Sequence, residues 1–109
     1  MKYLINITNE LGQQAFVREA IAFVQVQNAE LAALYVETKH ISDPQFQKDF
    51  NEIVGLLKSA GTELRILSDY DILRCISGFI SKENINCLIL EKVNTRKSRV
   101  SQLYQKTDK

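Results

Sequence analysis

The chain is short of the residues that punctuate or staple a fold. One proline and four glycines in 109 residues exclude a Pro/Gly-rich linker and a collagen-like repeat. Two cysteines, Cys75 and Cys87, cannot frame a disulfide-stapled miniprotein. With no extracellular address they read as reduced core thiols of a cytoplasmic protein. Their spacing also excludes a CxxC redox or zinc pair. Tryptophan is absent and His40 is the single histidine. No apolar run nears the ~20 residues that cross a bilayer, and residues 1–7 are too short for a signal peptide. A soluble protein without membrane insertion is therefore expected.

Charge of one sign is also lacking, since 14 basic residues against 13 acidic ones leave a net charge of +1. The balance conceals an asymmetry: residues 1–91 carry −4 and residues 92–109 carry +5. An acidic body with a basic C-terminal segment can meet phosphates or dock on an acidic surface, and a solvated segment is the plain alternative. Nucleic-acid binding is not expected, because the body is acidic and no aromatic residue interleaves the basic run before Tyr104.

What is present is apolar and periodic. Leu, Ile, Val and Phe supply 35 residues, enough for one core, so residues 1–109 read as a single domain. Residues 4–7 form a short β-branched run followed by Thr8-Asn9-Glu10, a strand and then a polar turn with a helix cap at Thr8 or Asn9. Residues 11–27 keep helical spacing. The unbroken run of residues 31–36 reads as a strand buried on both faces, as in a parallel sheet. Asp43 and Pro44 open a helix whose apolar stripe is Phe46, Phe50, Ile53, Val54 and Leu57, and Gly61 stops it. Residues 63–67 form a third strand. Ser68 or Asp69 caps a third helix carrying Ile72, Leu73, Ile76, Phe79 and Ile80, with Gly78 inside it suggesting close packing. Residues 87–90 form a fourth strand, 91–95 a polar loop, and 96–105 a short helix with Val100, Leu103 and Tyr104 on one side. The order β-α-β-α-β-α-β implies an α/β fold with a parallel sheet and right-handed crossovers. Ligands of such sheets sit beyond the carboxyl ends of the strands, where strand order reverses.

The catalytic inventory is poor, and no enzyme is expected. His40 has no cysteine or carboxylate at ligand spacing and reads as a solvated loop residue. Asp69 and Asp71 flank Tyr70, yet acids at a helix start serve its positive dipole end, so no metal site is assigned. No glycine-rich phosphate loop is present, and Glu10 puts negative charge beside the first turn. In Arg96-Lys97-Ser98-Arg99, three cations surround a hydroxyl just ahead of the expected last helix. A phosphate could sit on Ser98 with Arg96 or Arg99 as its clamp. A solvated loop is the other reading.

Three strings then carry a resemblance: Ala29-Glu30-Leu31-Ala32-Ala33-Leu34-Tyr35-Val36-Glu37-Thr38, Leu67-Ser68-Asp69-Tyr70-Asp71-Ile72, and Asn84-Ile85-Asn86-Cys87-Leu88-Ile89-Leu90 leading into residues 96–99. Their order along the chain resembles the universal stress protein superfamily, and most closely the domain carried by KdpD-type potassium-sensing histidine kinases. The resemblance implies a three-layer α-β-α sandwich with a four-stranded parallel sheet in order 3-2-1-4, like that of the adenine-nucleotide alpha-hydrolases. It implies a sensory or regulatory domain in bacterial stress or ion-transport signalling that binds a small nucleotide weakly: ATP, AMP or a cyclic dinucleotide. The implied ligand residues are Thr8, Asn9, Tyr35, Val36, Arg96, Ser98 and Arg99. Thr8 stands where nucleotide-binding members have an acid, and Glu91 where they have the first loop glycine. The kinase branch resembles this chain in its small hydroxyl after the first strand and its basic stretch after the fourth. A protein-interaction module with a degenerate nucleotide site is the alternative. The chain stops about where the fifth strand of such a domain would begin, so an open sheet edge is expected, managed as a homodimer or by docking on a signalling or transport protein.

Overall fold

The structure, a computed structural model, describes residues 1–93 and 99–106, those beyond Glu91 by backbone path alone. Its elements are β1 (Lys2–Ile7), α1 (Gln14–Val26), β2 (Glu30–Glu37), α2 (Pro44–Ser59), β3 (Leu64–Ser68), α3 (Ile72–Lys82), β4 (Cys87–Val93) and β5 (Arg99–Lys106). Four strands run parallel in the order β3-β2-β1-β4, as the resemblance implied, and β5 joins antiparallel outside β4.

The central strands are apolar on both sides because helices cover both sides. Leu4, Ile5, Ala33 and Leu34 are each 0 % exposed. On one face Ile5, Ile7 and Tyr35 meet Phe16 and Val17 of α1 and Phe46 and Ile53 of α2. On the other, Leu4, Leu34 and Val36 meet Phe79 of α3. The fold is thus a three-layer sandwich, with strand order reversing between β1 and β4. Among the described residues, no helix is long and apolar enough to cross a membrane.

Helix ends follow local chemistry. Asp43 caps α2 by accepting from the Gln45 N–H at 3.0 Å, and Pro44 opens that helix as its sequence indicates. All three helices stop at a left-handed residue: Asn28 (φ 54°), Gly61 (φ 80°) and Asn84 (φ 57°). In each case the next residue donates back into the last turn, Ala29 to Val24 O, Thr62 to Leu57 O and Ile85 to Ile80 O. These are Schellman closures, which satisfy carbonyls that a helix end otherwise leaves open.

Several expectations are corrected. The cap of α3 is Asp71, which accepts from the Arg74 N–H at 3.1 Å, because β3 extends through Ser68 and Asp69 is spent holding the Asp71 N–H at 3.0 Å. Helix α1 starts at Gln14 with no side-chain cap, not at residue 11 from Thr8 or Asn9, since Gly12 takes φ +76° and breaks the helical path. A Cβ at Gly78 would meet nothing within 4 Å, so that glycine marks no close approach. Strand β4 runs on to Val93, through residues expected in a loop.

The largest correction is at the C-terminus. The short helix expected over residues 96–105 is replaced from Arg99 onward by β5, and residues 96–98 lie outside the described residues. An open β4 edge leaves main-chain groups without partners, and an antiparallel neighbour satisfies them. The register steps from Leu88↔Gln105 to Ile89↔Leu103, which leaves Tyr104 as an extra residue in a bulge. A bulge erases the two-residue alternation. The spacing of Val100, Leu103 and Tyr104 then imitates a helix.

Candidate functional site

Sheet order reverses between β1 and β4, so the candidate site is the crevice beyond their carboxyl ends. The β1–α1 loop, residues 8–13, forms one wall. Its geometry is set by Gln13, which is 1 % exposed. The Gln13 carboxamide accepts from the Thr8 N–H at 3.1 Å and donates to Thr8 O and Glu10 O, both at 2.8 Å. One side chain thereby satisfies three main-chain groups that a turning loop would otherwise leave to water or a ligand. Thr8 Oγ1 also accepts from the Glu10 N–H at 3.3 Å.

A second tie comes from α2. The Asp49 carboxylate is buried and accepts from the Gly12 N–H at 3.0 Å and from Gln45 Nε2 at 3.0 Å. The Gly12 amide is the main reason that its carboxyl is held below the usual carboxylate range; burial opposes this, and Gln45 adds to it. Gln14 Nε2 donates to Glu52 Oε1 at 2.8 Å beside it. The loop is fastened from within by Gln13 and from the neighbouring helix by Asp49.

Among the described residues, two small cavities lie here. One of about 150 Å³ lies at the β1/β4 reversal, lined by Asn6, Thr8, Glu10, Gln13, Leu90 and Glu91 among others. The other, about 70 Å³, lies between the ends of β1 and β2 and is lined by Asn6, Thr8, Asn9, Val36, Thr38 and Ile72 with Ile7. Both fall below the ~300 Å³ at which small-molecule pockets usually begin. The side chains lining them include the carboxylates Glu10 and Glu91. The Asn6 Oδ1 atom is buried beside them with no hydrogen-bond partner among the described residues.

The expected ligand residues divide accordingly. Thr8, Asn9 and Val36 converge on the smaller cavity. Tyr35 turns its ring to the opposite sheet face, 5 % exposed, with ring centroids 5.1 Å from Phe50 and 6.1 Å from Phe46. Burial, and then the charge of Glu37, push its hydroxyl pKa up. Arg96 and Ser98 lie outside the described residues, and Arg99 opens β5 in register with Val93. His40 is an exposed loop residue with Nδ1 3.9 Å from Glu37 Oε2. Cys75 and Cys87 are free and half-buried, and burial raises the Cys75 thiol pKa. No group of three or more potential metal ligands occurs among the described residues.

Asn6, Gln13 and Asp49 escaped the sequence reading. Asp49 left a signal: it stands between Phe46 and Ile53, beside Phe50, on the apolar stripe of α2, where a carboxylate needs a donor. Gln13 left none, because its role depends on the path of the five residues before it. No protein-family model matches the chain, and no curated protein matches it.

Proposed function

We propose that the chain is a non-catalytic regulatory domain of universal-stress type that acts in signalling through protein contacts, its nucleotide crevice degenerate. The Gln13 carboxamide carries this reading. It occupies the hydrogen-bonding groups at the end of β1, and the space left beside it is about 150 Å³. An adenine nucleotide needs several-fold more room than the described residues leave there. The test is thermal unfolding with ATP, AMP and cyclic dinucleotides at millimolar concentration. A ligand at 100 times its Kd adds about 2.7 kcal/mol. The expected result is an unchanged midpoint with all of them; a saturable rise with any one refutes the reading.

A weakly bound small nucleotide is the second reading. The convergence of Thr8, Asn9 and Val36 favours it, as does the Asn6 Oδ1, a buried acceptor that an exocyclic amine would satisfy. The rise described above would select it.

A further inference from the structure

We infer that the β1–α1 loop is a receptor for a primary carboxamide, kept closed by the chain's own Gln13 as a tethered occupant. The inference rests on the degenerate-crevice reading and deepens it: the groups at the end of β1 are intact but blocked, and Gln13 governs access to them. Three main-chain groups converge on one point. The Thr8 N–H donates to Gln13 Oε1 at 3.1 Å, and Thr8 O and Glu10 O each accept from Gln13 Nε2 at 2.8 Å. One donor and two acceptors select a ligand that offers one acceptor and an NH₂ group, which is the pattern of a primary carboxamide. A carboxylate has no proton for the two carbonyls. An ammonium or a guanidinium has no acceptor for the Thr8 amide.

The receptor does not depend on the side chain that fills it. Gly12 turns the loop with φ +76°, and its N–H is held by Asp49 Oδ2 at 3.0 Å. Thr8 Oγ1 accepts from the Glu10 N–H at 3.3 Å. The Val17 N–H donates to Gln13 O at 3.0 Å, which fixes residue 13 to the first turn of α1. Each of these ties survives truncation of the Gln13 side chain. Gln13 is 1 % exposed, yet it lines the cavity of about 150 Å³ at the β1/β4 reversal. A side chain cut back to Cβ therefore opens the three groups into that cavity. The atoms lost in Q13A are Cγ, Cδ, Oε1 and Nε2, and acetamide replaces them one for one. In the wild-type chain the short tether gives Gln13 an effective concentration that outcompetes a free amide.

Thermal unfolding of the full chain, wild type and Q13A, with and without acetamide tests this. A ligand so small is expected to bind with a Kd of about 1–10 mM. At about 100 mM it should raise the Q13A midpoint by about 5 °C. The wild type should not respond, nor should Q13A respond to N,N-dimethylacetamide, which keeps the acceptor and has no N–H. An equal rise with dimethylacetamide, an equal rise in the wild type, or a folded Q13A indifferent to acetamide overturns the proposal. Should circular dichroism show Q13A unfolded, NMR of the wild type decides: the Gln13 side-chain amide protons should exchange at least about tenfold more slowly than those of exposed Gln27. Equal rates overturn the proposal. A nucleotide-induced rise in the wild type refutes the degenerate-crevice reading, whereas the acetamide comparison reports on the loop receptor itself, so the two can fail separately.

Discussion

Gln13 and Asp49 are buried polar residues whose partners are almost all main-chain atoms or amides of the β1–α1 loop and α2. Such groups are stabilising only while satisfied, and truncating either leaves loop amides or carbonyls stranded. The two differ in what acid does to them. Because the folded-state carboxyl of Asp49 is held below its unfolded value, chiefly by the Gly12 amide, its contribution is complete above the unfolded pKa. It is lost as pH falls through the lower, folded pKa. Asp49→Asn should therefore be less stable than wild type at neutral pH, and the gap between the two should narrow on acidification to about pH 3. Urea midpoints measured across that range check this, and a gap that widens contradicts it. Asp69, whose carboxyl is lowered by the Asp71 amide, titrates in both proteins and cancels in the difference. A sequence pattern reports faces, and Gln13 belongs to no face. Its amide works because Gly12 turns the chain with φ +76° and returns residue 13 beneath residues 8–10. That return is tertiary information, which explains why Thr8 and Asn9 could be named as candidates from their place after β1 and Gln13 could not.

At the scale of elements, what was legible followed from how strictly burial imposes a period. α2 was readable because Phe46, Ile53 and Leu57 must all reach the sheet, and β2 because Ala33, Leu34, Tyr35 and Val36 are buried on both faces. β5 was not, since the bulge at Tyr104 breaks the only period a strand has. Helix α3 shows the limits of local inference in another way. It buries Phe79 fully and half-buries Cys75, Ile76 and Ile80, while Leu73 is 77 % exposed. One face thus carries its attachment, and Gly78 lies off that face with open space around its Cα. Glycine there costs helix propensity and gains no contact in return. Gly78→Ala should raise stability by about 0.5–1 kcal/mol. Chemical denaturation with an unchanged m-value checks it, and a loss of stability would restore the close-packing interpretation of that position.

In the whole molecule, β1 is the strand on which everything else is registered: β2 and β4 flank it, and α1 with α2 covers one face while α3 covers the other. Opening β1 or β2 exposes both halves of the core at once, so their amides should exchange with solvent only when the whole domain unfolds. The edge strand β3 obeys a different rule, set by geometry more than by depth. Arg65 and Leu67 turn their N–H groups toward β2, and Leu64, Ile66 and Ser68 turn theirs away. Amide exchange followed by NMR in dilute solution should therefore alternate along β3, slow at Arg65 and Leu67 and fast at Leu64, Ile66 and Ser68. Uniform exchange along the strand, or the opposite parity, would contradict the register on which β3 lies against β2.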